Sequence, residues 1–67
     1  MNLGEKLKTL RRDKGITQIE LAKILNVDKG VVANYETNRR FPNIHILVKI
    51  ADYFEVTTDY LLGRTQI

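Results

Sequence analysis

The sequence predicts an all-α fold, a compact bundle of five short helices that contains a helix-turn-helix. Apolar residues recur at three- and four-residue spacing, and no segment alternates apolar and polar residues as a half-buried strand does. The segment over residues 17–36, TQIELAKILNVDKGVVANYE, has the pattern of two short helices joined by a tight turn. A chain of 67 residues has room for one small domain, expected over residues 1–67.

The first helix is predicted over residues 3–13. Leu3, Leu7 and Leu10 fall on one side of a helical wheel, and charged residues occupy other positions. Gly15 is expected to end this helix in the left-handed conformation, with Ile16 as the apolar residue after the turn.

The second helix is predicted over residues 17–25. Thr17 and Glu20 have the spacing of a capping box, in which each side chain accepts the other residue's backbone N–H. Asn26 tolerates the left-handed conformation that closes a helix, so we expect the turn there. The apolar stripe of this helix consists of Leu21, Ala22 and Leu25.

The third helix is predicted over residues 28–36, with Asp28 as its N-terminal cap. Val32 and Tyr35 are expected to face the core. The other side carries small or hydrogen-bonding residues, as a helix that enters a DNA major groove requires. These residues are Lys29, Gly30, Ala33 and Asn34, with Val31 at the flank.

The last two helices are predicted over residues 43–54 and 58–62. Asn43 follows Pro42 and is expected to cap the fourth helix. Either Thr57 or Thr58 is expected to cap the fifth helix, which ends at Gly63. The broad apolar face predicted for the fourth helix consists of Ile44, Leu47, Val48, Ile50, Ala51 and Phe54.

The composition argues against several classes of function. The chain has no cysteine and one histidine, His45, which is expected on the surface, so we predict neither a metal site nor a cofactor. The sequence shows neither a nucleophile–base pair nor a glycine-rich loop that could bind phosphate, so an enzyme is not expected. No apolar run approaches the roughly 20 residues of a membrane span, and the N-terminus lacks a signal peptide. A cytoplasmic location without membrane contact is therefore expected.

Positive charge is concentrated in the first part of the chain. Residues 1–40 contain nine Lys and Arg and five Asp and Glu, a net charge of +4. Residues 41–67 contain two basic and three acidic residues, a net charge of −1. Because the basic part includes the helix-turn-helix, the distribution favours a polyanionic partner, although an ordinary solvated surface is the alternative.

Four sequence motifs together resemble a known family of regulators. They are LxxLR at residues 7–11, KGITQIELA at 14–22, NYETNRRFP at 34–42 and LVKIADYFEVTTDYLLG at 47–63. In this order and spacing, the chain resembles the lambda/434 repressor and Cro family of small bacterial and phage Xre-like regulators. It departs from the family pattern in having Asn26 and Asn38 where glycine is common, and Gly30 where a polar side chain often faces DNA. Ile19 and Ile24 also replace residues that are more often polar.

The resemblance implies a transcriptional regulator, a repressor by expectation, that inserts helix 3 (residues 28–36) into the major groove of a palindromic double-stranded DNA operator. Base recognition would fall to Lys29, Gly30, Val31, Ala33 and Asn34. Helix N-termini and the loop after helix 3 would bind phosphates and fix the register. The residues expected to bind phosphates are Thr17, Gln18, Thr37, Asn38, Arg39, Arg40 and Asn43.

The resemblance also implies contacts within and between subunits. Arg11 and Glu36 are expected to form a largely buried ion pair between helix 1 and helix 3. Two-fold dimers on DNA are usual in the family, so we expect a homodimer on DNA that is weak in solution. Its expected surface comprises Val56, Thr57, Thr58 and Tyr60.

A different class of function is possible on the same sequence. Ile19 and Ile24 lie off the apolar stripe of helix 2, and exposed apolar residues at such positions either have no role or contact another protein. The alternative function is a protein-binding, antitoxin-like module that contacts a partner chain. Salt dependence distinguishes the two, because phosphate binding weakens steeply as salt rises whereas an apolar contact hardly responds.

Overall fold

The fold is described from a computed structural model for residues 1–64. Its helices are α1 (Leu3–Asp13), α2 (Gln18–Leu25), α3 (Lys29–Glu36), α4 (Ile44–Phe54) and α5 (Thr58–Leu61), and no strand occurs within residues 1–64. α3 packs against α1 and α2. α4 and α5 pack against each other, and in addition α4 contacts α2 and α5 contacts α1. The all-α, five-helix architecture predicted from the sequence is confirmed.

The predicted apolar stripes meet in a single core. Side chains from all five helices contribute to it, and several of these side chains are completely inaccessible to solvent. Because every stripe faces this core, the polar side of α3 is left at the surface. The buried apolar residues are Leu3, Leu7, Leu21, Ala22, Leu25, Val32, Tyr35, Leu47, Ile50, Ala51, Phe54 and Leu61.

Four helices begin with a side chain that caps the first turn. Thr17 and Asn43 accept the backbone N–H three residues ahead, at 3.1 and 2.9 Å, as predicted. Thr57 is the cap of α5. Asn2 and Glu5 form a full capping box at the start of α1, which was not predicted from the sequence. Asp28 occupies the cap position of α3, but the prediction that it caps was wrong, because its side chain makes no capping hydrogen bond.

All five helices end with the same backbone arrangement. A residue with positive φ donates its N–H to the carbonyl three residues back, and the next residue donates to the carbonyl five residues back. This arrangement uses the carbonyls that a helix end leaves without partners. The left-handed residues are Gly15, Asn26, Asn38, Glu55 and Gly63, of which Glu55 was not expected.

Two residues predicted to lie on the apolar face of α4 are exposed instead. Ile44 is 63% exposed and Val48 is 42% exposed. They stand one helical turn apart on the same flank, outside the stripe formed by Leu47, Ile50 and Phe54. α4 therefore buries a narrower face than predicted.

Two lysines join the first part of the chain to the last two helices. The Lys6 ammonium donates to the Tyr60 carbonyl at 2.7 Å and lies 5.0 Å from the centre of the Tyr60 ring. The Lys14 ammonium donates to the Tyr53 carbonyl at 3.3 Å and lies 4.5 Å from the centre of that ring. Both cations sit near helix C-termini, where positive charge is stabilising.

Candidate nucleic-acid interface

The outer side of α3 is the candidate recognition surface. Val32 and Tyr35 are buried beneath it, whereas Lys29 and Gly30 are exposed. Ala33 and Asn34 follow them by one helical turn and are half-buried. This side therefore presents one cation, two small residues and one amide to solvent. Val31 is half-buried and packs against the core, so only part of its side chain is available to a ligand.

Gly30 has no packing role within the described residues. A Cβ placed there would meet no atom within 4 Å. Glycine inside a helix nevertheless costs about 1 kcal/mol relative to alanine. A helical glycine that no internal contact requires is consistent with close approach of a ligand to the backbone.

Replacing Gly30 with alanine is therefore expected to stabilise the free protein and weaken operator binding. The free energy of unfolding should rise by about 0.5–1 kcal/mol. An added methyl group in the groove should lower operator affinity roughly tenfold. Thermal unfolding and operator titration measure the two effects. Thr9→Ala, an exposed change on α1, is the control that should leave binding unchanged. Operator binding by Gly30→Ala at the wild-type level would show that α3 does not approach DNA at this residue.

The start of α2 has both a cap and free backbone donors. The Thr17 N–H donates to Glu20 Oε1 at 2.8 Å, and the Glu20 N–H donates to Thr17 Oγ1. The pKa of Glu20 is lowered, chiefly by the hydrogen bond from the Thr17 N–H. The Thr17 hydroxyl and then the Lys23 charge lower it further. The contribution of the Glu20 carboxylate to the cap is therefore fully present above the ordinary carboxyl pKa and is lost as pH falls through the lowered pKa, whereas the Glu20 N–H bond to Thr17 Oγ1 remains. The next N–H groups, of Gln18 and Ile19, have no helical acceptor and are available to an anion.

A buried ion pair fixes this helix start against the end of α3. Arg11 Nε and Nη2 donate to the two oxygens of Glu36 at 2.6 and 3.2 Å. The side chains of Arg11 and Glu36 are only 11% and 2% exposed. This is the ion pair that the resemblance implies. Arg11 Nη1 also donates to the Ile16 carbonyl, and Gln18 Nε2 donates to Glu36 Oε1 at 3.1 Å. The Gln18 amide therefore helps to hold the network, a role that the sequence did not indicate.

The loop after α3 carries two exposed arginines. Arg39 and Arg40 donate their backbone N–H groups to the Asn34 carbonyl at 2.9 and 3.2 Å. At the equivalent point after α1, α2 and α4, the chain has apolar residues that pack against the core: Ile16, Val27 and Val56. After α5 the same point is occupied by Arg64, which is also exposed, so the position alone does not require a role in binding. Arg39 and Arg40 are the exposed arginines that directly follow the candidate recognition helix.

The remaining residues predicted to bind phosphate differ in whether their side-chain donors already make hydrogen bonds within the protein. Asn43 is exposed, and its Oδ1 caps α4 while its NH₂ group makes no hydrogen bond with the described residues. The Thr37 hydroxyl donates to the Ala33 carbonyl at 2.9 Å. The Asn38 amide is bonded to α1 on both sides. Asn43 is thus the best placed of the three to donate to a phosphate.

The structure also shows which positive charges are available. Of the nine basic side chains in residues 1–40, those of Lys6, Arg11 and Lys14 are bonded within the protein. The other six are exposed: Lys8, Arg12, Lys23, Lys29, Arg39 and Arg40. The positive surface is therefore smaller than the sequence count indicates, and half of it belongs to α3 and the loop that follows.

The predicted dimer surface lies at the α4–α5 junction. Thr57 is exposed, whereas Val56, Thr58 and Tyr60 are half-buried. Val56 and Tyr60 also pack against the protein's own core, and Tyr60 contacts Lys6. Association through this surface remains a prediction.

The described part of the chain has no residues arranged for a metal site or a membrane span. Residues 1–64 contain no cluster of three or more metal-ligating side chains, and His45 is exposed. Within the same residues, no helix has the length and apolar character needed to cross a membrane.

The five-helix fold and the exposed polar side of α3 define the class, a lambda repressor-like helix-turn-helix DNA-binding domain. A sequence profile of the helix-turn-helix family matches residues 7–61. The chain belongs to this family, in its Xre-like, lambda-repressor-like branch.

Two regulators from Bacillus subtilis (strain 168) are similar in sequence. The HTH-type transcriptional regulator ImmR is 40% identical over 67 residues, which is 100% of this chain and 53% of ImmR. The HTH-type transcriptional regulator AnsR is 39% identical over 64 residues, which is 96% of this chain and 54% of AnsR. The chain thus spans about half the length of these two relatives.

Two solved structures have closely similar folds. The P22 c2 repressor in complex with synthetic operator 9T superposes with a TM-score of 0.90 at 25% identity, covering 97% of this chain and 98% of that one. A transcriptional regulator from Listeria innocua also has a TM-score of 0.90, at 32% identity, covering 98% of this chain and 62% of that one. These regulators give no support to the antitoxin-like alternative.

Proposed function

We propose that the chain is a single sequence-specific DNA-binding domain of a transcriptional regulator, which inserts α3 into the major groove of a palindromic operator. The observation that carries the proposal is the side of α3 with Lys29, Gly30, Ala33 and Asn34, which faces solvent while the opposite side is buried. The P22 c2 repressor, which is solved with a synthetic operator, supports it. The function is binding rather than catalysis, and it takes place in the cytoplasm, where the DNA lies.

Base recognition comes from a small set of donors. Lys29 reaches guanine O6 and N7, and Asn34 pairs with adenine N6 and N7. Gly30 and Ala33 add no hydrogen bonds but let the helix approach closely, while the exposed part of Val31 meets a thymine methyl group. With so few donors, DNA shape contributes part of the specificity.

Phosphate binding flanks the recognition helix on both sides. The helix start at Thr17, with the free N–H groups of Gln18 and Ile19, binds on one side, and Arg39, Arg40 and Asn43 bind on the other. These contacts hold the register and supply most of the affinity that is independent of sequence.

Replacing Arg39 and Arg40 together with alanine is expected to weaken binding to all duplexes alike. For two lost phosphate contacts, the slope of log K against log salt concentration should fall in magnitude by about 1.8. Titration of a random duplex at several salt concentrations measures the slope. Lys49→Ala/Arg64→Ala removes the same charge from the other part of the chain and should leave the slope nearly unchanged. An unchanged slope for the Arg39/Arg40 variant would exclude these residues as phosphate contacts.

The regulator acts as a repressor and binds DNA as a two-fold dimer. A regulator bound to an operator that overlaps a promoter blocks that promoter by occupying the DNA. Repression of this kind requires no contact with another protein. A second subunit on the adjacent half-site compensates for the weak binding of one small domain. The two subunits contact each other through Val56, Thr57, Thr58 and Tyr60. A promoter–reporter assay tests repression. Operator titration tests the dimer, because binding to the two half-sites should be cooperative.

A further inference from the structure

The Asn38 side chain joins the end of α3 to the start of α1. Asn38 Oδ1 accepts the Gly4 N–H at 3.0 Å, and Asn38 Nδ2 donates to Asn2 Oδ1 at 3.0 Å. The same Asn2 oxygen accepts the Glu5 N–H at 2.9 Å. Two N–H groups in the first turn of α1, which have no helical acceptor, are satisfied in this way. We call Asn2, Gly4 and Asn38 the latch.

Close backbone contact makes the latch possible. A Cβ on Gly4 would lie 2.6 Å from the Glu36 carbonyl oxygen, 2.7 Å from that of Tyr35 and 2.8 Å from Asn38 Oδ1. No other residue type fits at position 4 without a backbone shift. The first turn of α1 is therefore a fixed support for the last turn of α3.

The latch lies directly before the two exposed arginines. Asn38 adopts φ 62°, a conformation that glycine would supply without any side-chain contact. The backbone of Arg39 and Arg40 is tied to the Asn34 carbonyl on the α3 side. The Asn38 amide ties the same segment to α1, so the loop is held from both sides.

We propose that Asn38 is a positioning residue for DNA binding: through the latch, α1 holds the segment that presents Arg39 and Arg40 to the phosphates. The inference rests on the proposed function. It assigns Asn38 an indirect role in place of the direct phosphate contact expected from the sequence, because both ends of its amide are already bonded to α1. A loop held in place loses less freedom when the arginines bind.

Asn38→Gly tests this role, since glycine keeps the left-handed backbone and removes only the amide. Affinity for a random duplex should fall roughly 3- to 10-fold, because the segment must then be ordered on binding. Asn26→Gly is the matched control. Asn26 is also left-handed, with φ 59°, and its side chain makes no hydrogen bond with the described residues. Its replacement should leave duplex affinity unchanged.

A double-mutant cycle separates positioning from direct contact. Asn2→Ala removes one of the two latch bonds, the one from Asn38 Nδ2, at a residue far in sequence from the arginines, and leaves the Gly4 N–H bond to Asn38 Oδ1. If Asn38 acts through the latch, Asn38→Gly therefore costs less affinity in the Asn2→Ala background than in the wild type. If Asn38 binds phosphate itself, the two losses in log K add, and that result would overturn the proposal.

Amide exchange in the wild-type protein gives a test that needs no variant. The Gly4 N–H should exchange more slowly than the Leu3 N–H, which has no helical acceptor. Coupling is reciprocal, so a saturating random duplex should slow Gly4 exchange by the factor that Asn38→Gly costs in affinity. Equal Gly4 exchange with and without DNA would refute the positioning role of the latch while leaving duplex binding established. Failure of the wild type to bind any duplex would instead overturn the proposed function, and this inference with it.

Discussion

Replacing Arg11 with alanine is expected to lower the free energy of unfolding by about 3–5 kcal/mol. The Glu36 side chain is 2% exposed, so removal of its bidentate partner leaves a buried carboxylate whose only remaining side-chain donor within residues 1–64 is the Gln18 amide. For a domain of this size, the melting temperature should fall by at least about 12 °C. Thermal and urea unfolding, monitored by circular dichroism, measure the change.

A neighbouring arginine provides the control for this prediction. Arg12 lies on the same helix and is exposed, and Arg12→Ala should change the free energy of unfolding by less than about 0.5 kcal/mol. Glu36→Ala and the Arg11→Ala/Glu36→Ala double variant complete the cycle. The double variant should lose less than the two single losses combined, because no unpaired charge remains buried. Additive losses below 1 kcal/mol would show that the ion pair is exposed in solution.

Replacing Asn34 with alanine is expected to lower operator affinity by about 1–3 kcal/mol, which is roughly 5- to 150-fold. Its amide lies on the outer side of α3, one turn after Gly30, where we propose that it donates to and accepts from an adenine edge. Binding to random DNA should remain nearly intact, and the preference at one base position in each half-site should relax. A competition titration against single-base operator variants at fixed salt measures these changes.

Gln18→Ala is the comparison for Asn34→Ala. Gln18 stands at the start of α2, so its loss should lower affinity for operator and random DNA by similar factors. Because Gln18 also donates to Glu36, a modest loss of stability should accompany this change. If Asn34→Ala lowers both affinities equally, Asn34 contacts the DNA backbone, and base recognition falls to Lys29 and Val31.

Most features of the fold that depend on neighbouring residues were predicted from the sequence, although the Asn2–Glu5 capping box was missed. The spacing of Leu3, Leu7 and Leu10 indicates one face of a helix without knowledge of its partner. Thr17 with Glu20 forms a capping box through contacts three residues apart, so the sequence alone indicates where α2 begins. The helix predictions were accurate to within one residue for this reason.

Features that depend on distant residues were not predictable. Asn38 meets Gly4 across 34 positions, and Lys6 meets Tyr60 across 54, so nothing in the local pattern indicates either contact. Lys6 resembles any surface lysine in sequence, yet it is buried and unavailable to DNA. The ion pair of Arg11 and Glu36 was expected only because the motifs resemble a known family.

Local preference also failed where the surrounding structure overrides it. Asp28 is a favoured capping residue, but the first turn of α3 forms without its side chain. Glu55 has no preference for positive φ, yet it closes α4 at φ 57° because Val56 after it packs against the core. Burial of Val56 provides a physical reason for the left-handed turn at Glu55.

Selection of DNA by the wild-type protein from a pool of random duplexes, followed by footprinting, tests sequence-specific binding most directly. We expect an enriched palindrome whose half-sites lie on one face of the duplex, about 34 Å apart. Protection should cover both half-sites and weaken steeply as the salt concentration rises. Enrichment of no sequence, with equal affinity for every duplex and no footprint, would contradict the account.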